Sequence, residues 1–218
     1  MAEQPGKFRE DGLGGREPTS HERMTGRPWD ASYRDGAPWD IGRPQAAFVR
    51  VAGSGGFAGA VLDAGCGSDE HALLAASLGL PVLGVDVADT AVAMARGKAA
   101  ERGLDAEFAA ADALHLERLG RRFDTVLDCG LFHTFSAEER PEYVASLASA
   151  TTPGGTLYVL CFSDVGPDIG PHPVREEDVR AAFNAGSGWE IASIEPDQID
   201  TRFGHKGLPA WFVTVRRI

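Results

Sequence analysis

The run Val61-Leu62-Asp63-Ala64-Gly65-Cys66-Gly67-Ser68-Asp69-Glu70-His71 restricts what this chain can fold into more than any other stretch. Ala60 to Leu62 is continuously apolar, the pattern of a strand buried on both faces of a parallel sheet. An acid follows, then Gly65 and Gly67, and Glu70 to Ala76 reads as the opening of a helix. Strand, glycine turn and helix make the ligand cradle of a doubly wound α/β sheet, because glycine lets backbone approach a ligand closely. A dinucleotide fingerprint carries glycine at its first, third and sixth positions. Gly65 and Gly67 supply the first two, but the sixth position is Glu70.

Asp63, Asp69 and Glu70 surround the turn. A helix N-terminus attracts anions, yet three carboxylates there repel a pyrophosphate and suit a ligand that is cationic nearby. S-adenosylmethionine is such a ligand, with a sulfonium and an α-ammonium and no phosphate. The run Asp63-Ala64-Gly65-Cys66-Gly67-Ser68-Asp69 resembles the first motif of the class I S-adenosylmethionine-dependent methyltransferases, acid-x-Gly-x-Gly-x-Gly. Asp69 stands where that motif has its third glycine, and Asp tolerates unusual backbone angles better than most residues. The resemblance implies a Rossmann-like sheet, mostly parallel, of seven strands with a terminal antiparallel strand.

The 218 residues suit one domain with an appended tail. A net charge of −11 and a pI near 5.0 argue against nucleic-acid binding, which calls for a cationic surface. No apolar run is long enough to cross a bilayer, and the first residues lack a basic-then-apolar signal pattern. The expectation is a cytoplasmic protein, monomeric or homodimeric, acting on a small molecule. Cys66, Cys129 and Cys161 contain no C-x-x-C pair, so neither a disulfide framework nor a zinc site is expected, and no metal.

Residues 1–26 hold five glycines, mixed charges and few apolar groups, and read as a flexible tail. Residues 27–52 read as a lid and 53–218 as the main domain. In the lid, Trp29-Asp30, Tyr33 and Trp39-Asp40 crowd into twelve residues punctuated by Pro and Gly. Such aromatics either cap a π-bearing ligand or dock the segment onto the core. The run from Trp29 to Arg43 resembles the N-terminal segment of thiopurine, halide and thiol methyltransferases. It is most similar to that of the actinobacterial heterocyclic toxin methyltransferases within that superfamily. The resemblance implies that this segment caps the cofactor and closes the acceptor pocket.

Along the chain, helices are expected at 44–51, 70–78, 89–102, up to about 149, and 175–183. Strands are expected at 60–62, 81–86, 106–110, 123–130 and 154–162, with 189–194 and 211–215 as a terminal antiparallel pair. Ser136 and Glu139 have capping-box spacing, with Pro141 delaying the helix. Asp86 lies about twenty residues past the glycine turn, where an acid hydrogen-bonds ribose hydroxyls in such folds. The resemblance assigns the adenine to Asp112 and Ala113. The expected cofactor contacts are Trp29, Tyr33, Asp63, Gly65, Cys66, Gly67, Asp86, Val87, Asp112, Ala113, Asp128 and Cys129.

Ligands in open α/β sheets lie beyond the carboxyl ends of the strands, so Asp128 to His133 is expected to face the transferred methyl. The expected acceptor contacts are Trp39, Arg43, Phe132, His133, Phe162 and His172, the last from the Pro- and Gly-rich loop 163–174. His133 is the candidate general base, having the right pKa range for an acceptor that must lose a proton. Otherwise, aligning the reactants in a dry pocket provides the acceleration. Arg43 either pairs with Asp30 or Asp40 or meets an anionic group on the acceptor. The cysteines read as packing residues, and His21, His71, His115 and His205 are given no role.

The leading expectation is a methyltransferase acting on O, N or S of a small, largely aromatic molecule, for example an alkylquinolone-type toxin. A halide or thiol methyltransferase, a nucleotide-dependent oxidoreductase on the same topology, and a non-catalytic cofactor-binding protein are the alternatives.

Overall fold

The computed structural model describes residues 13, 15–165, 172–202 and 207–218. Seven strands, β1 (Val61–Ala64), β2 (Val82–Asp86), β3 (Glu107–Ala110), β4 (Phe123–Cys129), β5 (Thr151–Phe162), β6 (Trp189–Ile199) and β7 (Leu208–Arg217), form one sheet. Their order is β3-β2-β1-β4-β5-β7-β6. The first five are parallel, and β7 runs antiparallel to both β5 and β6. The doubly wound expectation therefore holds, with a longer terminal pair than the alternation of 189–194 and 211–215 indicates. Strand order reverses between β1 and β4, so the carboxyl ends of those two strands open the crevice where such sheets take their ligands.

The helices are α1 (Ser20–Thr25), α2 (Trp29–Arg34), α3 (Ala46–Gly53), α4 (His71–Ser77), α5 (Asp89–Arg102), α6 (Arg140–Ala150) and α7 (Glu176–Ala182). Strand side chains alternate between faces, and this parity divides the core. Val61, Val82 and Leu127 pack with Phe48 of α3, Leu73 of α4 and Val92 of α5. Leu62, Val85 and Val126 pack on the other face with Tyr143 and Leu147 of α6, Val179 of α7 and Trp189. Each fully buried Leu, Val or Phe contributes roughly 1.5–3 kcal/mol of hydrophobic stabilisation.

Residues 1–26 are not all tail. Thr19 and Glu22 form a reciprocal capping box that starts α1, Gly26 closes it in the left-handed conformation, and Glu22 is fully buried. A Thr-x-x-Glu spacing satisfies two orphan helix donors at once, which outweighs the glycine-rich composition around it. Residues 1–12 lie outside the described residues. So do 166–171 of the loop expected to shape the acceptor pocket, and 203–206, which include His205. Ser136 and Glu139 bond reciprocally as their spacing predicts, and α6 starts just after them at Arg140, with Pro141 in its first turn.

Candidate functional site

A cavity of about 700 Å³ opens over the carboxyl ends of β1, β2, β4 and β5. Its floor is the turn after β1. Gly65, Gly67 and Asp69 have φ of 72°, 58° and 59°. A Cβ on Gly65 would come within 2.7 Å of the Leu131 side chain, and one on Gly67 within 2.5 Å of the Tyr33 hydroxyl. Only glycine permits both the dihedral and the approach. Asp69 adopts the left-handed angle that a third glycine would have taken, and its Oδ1 accepts the Ala72 N–H at 2.7 Å. Its departure from the glycine pattern is thereby explained.

Asp86 ends β2 beside this turn. Its Oδ2 accepts the Gly67 N–H at 2.9 Å and its Oδ1 the Ala88 N–H at 2.8 Å. Burial pushes its pKa up to about 6 despite those two bonds. Each oxygen keeps a lone pair for a ribose hydroxyl. Asp112 accepts the Leu114 N–H through Oδ1 at 3.0 Å and lines the cavity with Val87 and Ala113.

Two expected cofactor residues are elsewhere. Asp63 shares its parity with Val61 and points under α4, where its Oδ2 accepts the Ala72 N–H at 3.2 Å; it does not line the cavity. Asp63 and Asp69 both accept that N–H, and burial raises both pKa values, helped by the charges of Asp128 and Asp86 at Asp63 and of Asp63 at Asp69. Asp128 has the opposite parity and points to α6. It accepts the Tyr143 hydroxyl at 2.8 Å and the Leu131 and Phe132 N–H groups at 2.9 and 3.2 Å, holding the loop after β4 in place.

Three charges at the turn are thus fewer than the sequence suggests. Glu70 is neutralised by Lys98 at 3.0 Å and Arg102 at 2.8 Å. The cavity still suits a cation rather than a phosphate, because the two arginines that line it are occupied. Arg16 pairs with Glu22 at 2.5 Å and Arg43 with Asp200 at 2.7 Å. The partner of Arg43 is neither Asp30 nor Asp40. Asp30 instead accepts the Thr90 N–H of α5 at 2.7 Å, and Asp40 accepts the Ser68 hydroxyl at 2.6 Å.

Residues of α1, of α2 and of the segment after it line the cavity, and Glu22, in the stretch read as tail rather than in the lid 27–52, is the centre of their hydrogen bonding. That carboxylate accepts two bonds from Arg16, at 2.5 and 2.6 Å, and the N–H groups of Thr19 and Trp29, at 3.0 and 3.1 Å. Burial alone would raise its pKa, but the bonds from Arg16 and the backbone lower it. His21 stacks on Trp29 with ring centroids 4.4 Å apart, Trp29 meets Trp39 edge-on at 5.5 Å, and the Trp39 indole N–H donates to the Tyr33 hydroxyl at 3.0 Å. All four rings line the cavity. The same aromatics thus dock the segment through ring contacts and line the cavity.

The apolar side of the cavity carries Met24, Ile41, Leu131, Phe135, Phe162, Ile199 and Leu208, with His133 and with Cys129, which the sequence places among the cofactor contacts. Buried Cys66 and half-buried Cys129 line the cavity, and desolvation pushes both thiol pKa values well above the usual range. Phe132, expected here, is fully buried against Phe183 and under the Arg140 guanidinium. One residue of rotation in the short helix 132–134 sends Phe132 to the core and His133 to the cavity. His172 does not line the cavity; its Nε2 lies 2.9 Å from the Ser20 hydroxyl and latches α1.

His133 is poorly suited to act as a base. Its Nδ1 accepts the Phe162 N–H at 3.1 Å, and burial pushes its pKa down to about 3. A neutral imidazole has one lone pair, here already used. His21, Gln45 and His71 reach the site without a sequence assignment. His71 accepts the Gln45 N–H at 3.1 Å and is kept neutral by burial, its pKa about 4. The capping box would have revealed α1, and with it His21. Nothing local marks Gln45, Ile199 or Leu208.

A family model for a methyltransferase domain matches residues 61–155. The 2-heptyl-1-hydroxyquinolin-4(1H)-one methyltransferase of Mycobacteroides abscessus is 38% identical over 183 residues, covering 78% of this chain and 80% of its own. A probable thiol methyltransferase of Arabidopsis thaliana is 29% identical, covering 84% and 83%. A structure solved in work on the conversion of a disulfide bond into a thioacetal group during echinomycin biosynthesis is 37% identical with a TM-score of 0.76, covering 86% and 89%. Backbone donors and carboxylate acceptors, with no free cation lining the cavity among the described residues, fit S-adenosylmethionine, the cofactor of that family. The chain belongs to the S-adenosylmethionine-dependent small-molecule methyltransferases.

Proposed function

We propose that the methyl acceptor is an aromatic heterocycle with an acidic hydroxyl and an apolar substituent, of the N-hydroxyquinolone class that names the Mycobacteroides relative. The observation that carries this reading is the acceptor side of the cavity, a wall of Met24, Ile41, Leu131, Phe135, Phe162, Ile199 and Leu208 around the imidazole of His133. About 700 Å³ accommodates a cofactor and a drug-sized acceptor together. A halide ion leaves most of that apolar surface uncovered.

S-adenosylmethionine, when bound, supplies a methyl group already activated by its sulfonium. Gly65, Gly67, Asp86 and Asp112 would hold it. Trp29, Tyr33 and Trp39 exclude water and fix the approach of the acceptor, so positioning provides most of the acceleration. A methylated hydroxyl no longer ionises, which would detoxify a toxin of this class. Cytoplasmic residence, a monomeric or homodimeric state and the absence of a nucleic-acid partner belong to the same proposal. No described helix is long and apolar enough to cross a membrane.

The test is mass-spectrometric detection of methyl transfer to 2-heptyl-1-hydroxyquinolin-4(1H)-one, simple phenols, thiols and halides. Highest kcat/KM is expected for the quinolone. Turnover confined to thiols or halides, or saturable binding of NAD with none of S-adenosylmethionine, overturns the reading.

A further inference from the structure

We propose that the acceptor is bound and methylated as its anion, with its charged oxygen held by the Nε2–H of His133 and no proton taken up by the protein. The proposal rests on the acceptor class given above and names how that class is recognised.

The tautomer of His133 is fixed by geometry. Its ring stands 4.3 Å from the Phe162 ring, and the Phe162 N–H donates to Nδ1 at 3.1 Å. The ring proton therefore sits on Nε2. The opposite tautomer would set two N–H groups against each other and leave a buried backbone donor unsatisfied. No described protein group bonds Nε2, although the side chain lines the cavity. The residue therefore presents a donor to the acceptor, and a base would need the opposite.

The surroundings favour a negative charge at that donor. Of the groups that act on His133, Arg140 of α6 carries the charge; His21 of α1 and His172 have pKa values lowered by burial, and no carboxylate is among them. The nearby acids are engaged elsewhere: Glu22 with Arg16, Glu139 with Ser20 and Arg23, Asp178 with Arg175, and the exposed Glu138 with Ser136. Arg140 is 7% exposed, lies 5.0 Å over the Phe132 ring, has an unpartnered Nε, and makes no ion pair within 4 Å among the described residues. Its Nη2 donates to the His172 carbonyl at 3.4 Å, and Asp178 and Glu138 act on it only through their fields, so a buried guanidinium without a direct ion pair gains from an anion nearby. Arg140 does not line the cavity, so it is a positioning residue that acts through its field.

The chemistry balances without a base. The acceptor hydroxyl gives its proton to solvent before transfer. The oxygen lone pair then forms the O–CH3 bond as the C–S bond breaks, and the electron pair of that bond stays on sulfur. The anion and the sulfonium neutralise each other, and no proton moves in the step.

The experiment uses the full chain with S-adenosylhomocysteine and 2-heptyl-1-hydroxyquinolin-4(1H)-one, whose absorption reports ionisation. The bound probe is expected to ionise at least one pH unit below the free compound, a tenfold preference for the anion. His133→Gln, which keeps an N–H, retains the shift, and His133→Phe loses it. Across hydroxyl acceptors of different acidity, the acidic limb of the wild-type kcat/KM profile moves with the pKa of the acceptor. A bound probe that ionises at or above its free value overturns the proposal, as does a limb fixed at one pH for every acceptor. The two wild-type measurements decide even where His133→Phe fails to fold. Failure of the probe to bind overturns the acceptor class and this proposal together, whereas binding without a shift overturns this proposal alone.

Discussion

The two walls of the cavity are built by opposite means. The wall proposed to hold the cofactor is backbone and carboxylate at strand ends, from Gly65, Gly67, Asp86 and Asp112, all within fifty residues of one another. The wall proposed for the acceptor is side chain, drawn from α1, the loop after β4, the end of β5 and the facing ends of β6 and β7, up to 184 positions apart between Met24 and Leu208. A wall of backbone on a parallel sheet is rigid and serves one ligand. A wall of separate apolar side chains changes shape with single substitutions. The contrast implies that damage to the first wall abolishes cofactor binding, whereas damage to the second is graded.

The largest effect is expected at Asp86. Asp86→Ala removes the acceptor for the ribose diol and frees the Gly67 N–H it now holds. Hydrogen bonds to a charged group are worth about 1.5–3 kcal/mol each, so the Kd for S-adenosylhomocysteine is expected to rise by about 3 kcal/mol, on the order of a hundredfold. Calorimetric titration checks it, and a change under fivefold would remove Asp86 from the cofactor wall. Next comes Glu22→Gln, which loosens the lid. Losing the charge that Arg16 and two backbone N–H groups address costs about 2 kcal/mol of lid closure. Faster hydrogen exchange at the Trp29 amide with an unchanged sheet is the expected signature. Uniform exchange would mean that the lid is not an independent unit.

The same contrast explains what could be read from sequence. The turn and the strand-ending acid of the proposed cofactor wall are legible because a glycine turn and an acid at a strand end are local patterns with a single geometry. Two of its expected members were misplaced for a definite reason. Asp63 and Asp128 lie within strands, where parity sends the side chain under α4 or against α6 rather than over the edge. Asp86 ends its strand and escapes that alternation. On the acceptor wall only lid aromatics and strand-end residues were legible. Ile199 and Leu208 face each other at the closing end of the β6–β7 hairpin, 199↔208, where the alternation of 189–194 and 211–215 leaves both in the connection. Phe132 and His133 exchange places through the helical rotation of one residue.

Trp29→Ala tests whether the lid rings belong with the rigid wall. Loss of one large ring is expected to weaken cofactor binding by about 1–3 kcal/mol, and His21, which stacks on it, loses its support. An unchanged Kd would mean that Trp29 serves only docking. The pH dependence separates the walls more finely. Burial raises the Asp86 pKa to about 6, so in the free protein its carboxyl is protonated below that pH. A protonated carboxyl accepts from a ribose hydroxyl less strongly than a carboxylate does and has one acceptor site fewer. Binding therefore favours the ionised form, and affinity is expected to fall as pH drops through 6, by at most tenfold per unit. Isothermal titration from pH 7.5 to 5 reads it directly, and a flat profile would show that the carboxylate does not contact the ligand.

The smallest effect is expected where the walls meet. Tyr33→Phe keeps the ring over Gly67 but removes the acceptor of the Trp39 indole N–H, which lies 3.0 Å from the hydroxyl. A neutral hydrogen bond contributes about 1 kcal/mol, so lid closure and cofactor affinity are expected to weaken about fivefold. Acceptor selectivity, governed by Leu131, Phe135, Phe162, Ile199 and Leu208, is expected to stay as it was. Relative kcat/KM values for a quinolone and a simple phenol measure this. If Tyr33→Phe altered that ratio as strongly as it altered cofactor affinity, Trp39 would carry information between the walls, and the division into a rigid and an adaptable half would fail at this hinge of two aromatic side chains.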